Sequence, residues 1–211
     1  MHRRWARLSG GASILGAVLA MVAAVPPSWY GFTPTDSYVF DPPMWSPLWI
    51  NRELVPLVIL AAAIGLLLGL IGLLRRDWAG AGRARRWGSV GAVIGFTGLT
   101  FTVPVFVFSM QGTPGGVLAI LVALAAVVFG LIALLPSLLL LAYGYVKAGR
   151  PRIGGAFAGV LLGVPALGYL IPGPASSFVA MVPIAVAWVV FGLDLLRNES
   201  PLGGGSTASN G

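Results

Sequence analysis

The sequence predicts an all-α, polytopic integral membrane protein, built as a transmembrane bundle of six helices. Three observations predict it. Of the 211 residues, 57% are apolar and only 9% are charged, whereas a soluble domain carries about a quarter charged residues. A fold with so few charges cannot cover itself in water, so most of its surface must meet lipid. Six stretches are long and apolar enough to cross a hydrocarbon core, which takes about 17–25 helical residues. The basic residues stand in short clusters at the ends of those stretches rather than on one water-facing surface, as a nucleic-acid site would require.

The first stretch, 8–25, follows the basic segment "MHRRWAR". This resembles the start of a secretory leader, but the apolar run is longer than the roughly 7–15 residues of such a leader, so a retained helix is expected. Next comes 26–54, with six prolines, seven aromatic residues and one glycine, Gly31. That composition describes a stiff, ordered outer loop resting on the helix ends rather than a flexible linker. The second stretch, 55–74, ends at "RRDWAGAGRARRW", which places five arginines between two apolar runs. It follows no strand and lacks a closing Gly-Lys-Ser/Thr, so it does not read as a phosphate loop.

Stretches three to six are 88–110, 117–146, 153–170 and 178–196. The fourth is the longest, about 45 Å of helix at 1.5 Å per residue, so it must tilt, bend at Pro136 or enter the interface. The remaining 14 residues, 198–211, form a Gly/Ser-rich tail that is expected to be disordered.

Orientation follows from the cations. With six spans and a cytoplasmic N-terminus, Arg52 alone of the 13 basic residues falls outside. The arginines of 75–86 thus hold the inner helix ends at the anionic leaflet of the plasma membrane, and both termini are cytoplasmic. The expected partners are the bilayer itself and a larger membrane complex or a second copy of the chain, but no nucleic acid.

Internal similarity suggests three related two-helix hairpins. Even-numbered helices share "GLIGLL" (69–74), "GLIALL" (130–135) and "GLDLL" (192–196), and odd-numbered ones open "RLSG", "RWGS" and "RIGG". Chance is the simpler reading, since Gly, Ala, Leu and Val dominate any membrane helix, and duplication is the alternative to it. Small residues spaced four apart, Gly91 and Gly95, then Gly155, Gly159 and Gly163, mark faces where helix backbones can approach closely.

Chemistry is scarce. There is no cysteine, and the one histidine is His2, so thiol and histidine-built sites are excluded and no cofactor or enzymatic activity is expected. Asp194 is the one acid inside an apolar stretch; an ion pair with Arg197, three residues on, is expected, with a proton or ligand site as the alternative. Thr97 and Thr100 stand near Pro104, where hydroxyls can satisfy a carbonyl freed by the proline. Pro104, Pro165 and Pro183 all fall in outer halves, so the sharper expectation is a cavity lined by broken helices beneath the aromatic loop. The sequence therefore points to a non-enzymatic membrane subunit or accessory protein, or else to a carrier or binding subunit for a small neutral or apolar solute.

Overall fold

The computed structural model describes residues 2–30, 44–78, 82–110, 116–171, 173 and 175–197, and among them every regular element is helical. In order these are α1 (His2–Tyr30), the single turn α2 (Pro47–Trp49), a π-helical segment (Ile50–Leu54), α3 (Val55–Asp77), α4 (Arg83–Met110), α5 (Gly116–Lys147), α6 (Pro151–Leu170) and α7 (Ala175–Arg197). Five helical runs are long and apolar enough to cross a membrane: Arg4–Pro26, Val55–Arg76, Val117–Lys147, Pro151–Leu170 and Phe178–Arg197. The sixth expected span corresponds to α4, 28 residues long, which is not among these five.

Two boundaries beside the expected outer loop differ from the sequence expectation. α1 continues through Pro26 and Pro27 to Tyr30; a proline removes one donor from the ladder, but its fixed φ is compatible with a helix. At the far end, 47–54 is helical and runs straight into α3. Ser46 starts it, its Oγ accepting from the Trp49 N–H at 3.2 Å, with Pro47 in the first turn. The Val55 N–H then reaches back five residues to the Ile50 carbonyl. This wider turn lies just before Pro56, whose ring would collide with the carbonyl four residues back in a regular α-helix. The middle of the expected loop, 31–43, and the tail, 198–211, lie outside the described residues.

The α5–α6 connection is legible residue by residue. Gly149 takes φ +74, its N–H bonds the Val146 carbonyl at 3.1 Å, and the Arg150 N–H bonds that of Tyr145 at 2.9 Å. This pair of bonds closes a helix end around a glycine, and Pro151 opens the next helix at once.

The helices form a ring in chain order. α1 packs on α3, α3 on α4, α4 on α5, α5 on α6 and α6 on α7, and α7 closes onto α1. Aromatic side chains fill the middle. Tyr145 of α5 packs on Phe157 of α6 (5.7 Å), Phe157 on Phe191 of α7 (4.6 Å), Phe191 on Trp188 (5.3 Å), and Trp188 on Phe96 of α4 (5.5 Å). Trp188 continues this chain to the other two helices. Its indole N–H donates to the Leu66 carbonyl of α3 at 2.6 Å, and its own carbonyl accepts from Ser13 Oγ of α1 at 2.7 Å. All six long helices are thus joined through one buried line of rings and hydrogen bonds.

Glycines set the helix spacing where backbones touch. A Cβ on Gly16 would lie 2.7 Å from the Leu66 nitrogen, and one on Gly95 would lie 2.7 Å from the Gly130 carbonyl oxygen. In lipid, helices associate through such close packing rather than through hydrophobicity. The glycines of the three shared phrases serve this purpose too. Gly69 meets Ser13 and Gly130 meets Gly95 and Leu99, each on the preceding long helix, whereas Gly192 meets Gly10 and Ile14 of α1. The third phrase therefore closes the ring rather than its own hairpin.

Candidate functional site

That difference leaves a groove between α6 and α7. The buried positions of α6 are Ile153, Gly154, Phe157 and Val160. At about 100° per residue these share one face, and Gly155 and Gly159 fall on the opposite one. Phe157 is held inward by Tyr145 and Phe191. Gly154 is seated against α5, where an added Cβ would lie 2.7 Å from the Ala142 carbonyl oxygen. With α6 fixed in this rotation, Gly155 and Gly159 are exposed, and a Cβ on either meets nothing within 4 Å. Of the three small residues of α6, only Gly163 lies where two helices of this chain touch, with the Pro183 ring 2.9 Å from its would-be Cβ.

The groove has a volume of about 360 Å³ and faces outward from the bundle. Gly155, Ala156 and Gly159 of α6 and Val186, Ala187 and Val190 of α7 make its floor and walls; Pro183 stands at one end and Arg152 at the other. Measured along α7, Pro183 to Val190 is about 10 Å, so the groove covers roughly a third of a hydrocarbon core of about 30 Å.

The other residues singled out from the sequence do not join it. Thr97 is half-buried and Thr100 buried on α4, which packs on α3 and α5. The Thr100 hydroxyl donates to the Phe96 carbonyl at 2.8 Å and that of Thr102 to Gly98 at 3.1 Å. These bonds run to carbonyls four residues back and stay within the helix. Pro165 is exposed and lies within α6, and Pro183 lies within α7, both in uninterrupted helices. The side chain of Pro104 lies outside the described residues. Among the described residues Pro183 alone of these prolines lines the groove.

Asp194 has a partner that spacing along α7 could not reveal. Arg76 of α3 donates through Nη2 to Asp194 Oδ2 and through Nη1 to the Asp194 carbonyl at 3.1 Å. The guanidinium thus neutralises a carboxylate and also satisfies one of the carbonyls left open at the end of α7, where positive charge is favoured. Both side chains are about one-quarter exposed (22% and 27%), so the pair is weaker than a fully buried one. Arg76→Gln should destabilise the protein in detergent, and Asp194→Asn in the Arg76→Gln background should cost little more. A double-mutant cycle by thermal melting should read a coupling of about 1 kcal/mol; additive losses would show that the pair does not hold α3 to α7.

Around the same end of the bundle, cationic side chains lie over aromatic rings. Arg75 sits over Trp5 (5.3 Å), Arg85 over Tyr145 (5.7 Å), Arg86 over Trp78 (5.9 Å) and Lys147 over Tyr143 (5.8 Å). Sequence reasoning placed these groups at helix ends but missed Arg76, Ser13 and Trp188 as ties. The one available signal was Trp188 itself, since an indole N–H at membrane depth needs an acceptor. The chain matches no family model, no curated protein and no solved structure.

Proposed function

We propose that this chain is a non-enzymatic, six-span protein of the plasma membrane, with both termini in the cytoplasm, that acts as a small membrane subunit or accessory protein. One observation carries the reading: among the described residues, the hydrogen-bonded polar groups at membrane depth either tie helices together or bond within their own helix. Ser13 and Trp188 tie α1, α3 and α7, Arg76 and Asp194 tie α3 to α7, and the hydroxyls of Thr100 and Thr102 bond within α4. Catalysis or proton transfer needs groups whose bonds can be exchanged during turnover. A carrier for a small neutral or apolar solute would need space between the helices, and that space holds Phe157, Tyr145, Trp188 and Phe191, each at most 2% exposed.

The orientation rests on the basic ends. Reporter fusions after Arg86 and Arg150 should read cytoplasmic and one after Gly115 external; an external reading after Arg86 would overturn the six-span map. The subunit reading is tested by purifying the tagged chain in mild detergent and measuring its partners by quantitative mass spectrometry. One membrane protein recovered in fixed stoichiometry, and losing stability when this chain is deleted, is the expected outcome. A chain that purifies alone and gains thermal stability from a small neutral solute would favour the carrier instead.

A further inference from the structure

We propose that the α6–α7 groove is a binding site for one anionic phospholipid, with a headgroup phosphate on Arg152 and the upper part of an acyl chain along Gly155, Gly159 and Val186. The groove is apolar except at one end, where Arg152 lines it. That end belongs to the face of the bundle carrying Arg75, Arg76, Arg85, Arg86 and Lys147, the end proposed above to meet the anionic leaflet. Arg76 is committed to Asp194, and Arg75, Arg85, Arg86 and Lys147 lie over rings. The Arg152 guanidinium, in contrast, makes no ion pair, hydrogen bond or ring contact among the described residues. A cation with no local partner at the mouth of an apolar channel is complementary to a lipid phosphate joined to its chain.

The shape agrees with that occupant. Gly155 and Gly159 lack side chains and have nothing within 4 Å of a would-be Cβ, so a methylene chain can lie directly against the α6 backbone. Toward the outer side the channel closes where the Pro183 ring meets Gly163. The rival occupant is a second copy of the chain, crossing α6 on α6 at Gly155 and Gly159. Two copies inserted in the same orientation would cross as parallel helices. Their Arg152 residues, about 4.5 Å below Gly155, would then face each other, and two like charges at low dielectric repel. The charge therefore selects an anion over a copy.

Native mass spectrometry of the full-length chain, with phosphatidylglycerol or phosphatidylcholine added to the detergent micelles, tests this independently of any protein partner. One phosphatidylglycerol should be retained in preference to phosphatidylcholine. Arg152→Gln should weaken that retention roughly fivefold, the change corresponding to about 1 kcal/mol for one basic residue at an anionic headgroup. Gly159→Leu should abolish retention while leaving the melting temperature unchanged, since its side chain enters open space. Arg4→Gln, at the same end but away from the groove, should have no effect. Equal retention of both lipids, or equal losses from Arg4→Gln and Arg152→Gln, would overturn the site. A wild-type dimer that Gly159→Leu converts to monomer would replace the lipid by a second copy.

Discussion

Trp188→Ala should be the most destabilising single substitution in the bundle, lowering stability in detergent by about 3 kcal/mol. Truncating a buried tryptophan costs about 3–5 kcal/mol in a soluble core. The lower end applies here because lipid is nearly as apolar as the protein interior, which shrinks the transfer contribution and leaves the cavity and lost contacts. Trp188 is 2% exposed, packs against Phe96 and Phe191, and donates to the Leu66 carbonyl. Its loss would uncouple α7 from α3 and α4 together. Trp188→Phe separates the two contributions: it keeps a ring but removes the N–H, and it should cost only about 0.6–1.7 kcal/mol, the scale of one hydrogen bond between membrane helices. Thermal unfolding followed by tryptophan-independent circular dichroism reads both. If the alanine variant melts with the wild type, the aromatic line does not hold the ring together.

Gly16→Ala should cost about 1–3 kcal/mol although it adds a single methyl group. The new Cβ would stand 2.7 Å from the Leu66 nitrogen, 2.9 Å from the Ala62 carbonyl oxygen and 2.9 Å from the Gly65 carbonyl carbon. All three are backbone atoms of α3, so no side chain can rotate away and the two helices must separate. Their separation would also strain the Ser13 bond to Trp188, one turn along α1. Gly11→Ala supplies the comparison on the same helix: nothing lies within 4 Å of its would-be Cβ, and exchanging glycine for alanine in a helix should stabilise it by about 0.5–1 kcal/mol. The opposite signs of the two substitutions are the expected signature, and equal effects would show that α1 and α3 do not touch at Gly16.

What the sequence by itself determined is whatever depends on composition or on a few adjacent residues. The scarcity of charge identified lipid as the solvent, and apolar runs identified the helices. The basic clusters marked one end of the bundle. Only the tertiary structure decided how each helix is rotated about its axis. A helix in a soluble protein shows its inner face as an apolar stripe, but one in lipid is apolar all round and carries little such signal. For this reason the sequence could mark Gly91, Gly95, Gly155 and Gly159 as small yet not tell those at helix contacts from those in an open groove. Gly91 and Gly95 of α4 face α5, whereas Gly155 and Gly159 face outward. The same lack of rotational information hid Arg76 from Asp194, 118 positions away, and kept Trp188 from standing out as the residue on which α1, α3, α4 and α7 meet. Those contacts follow from which backbones can approach most closely, and that depends on all the helices of the ring at once.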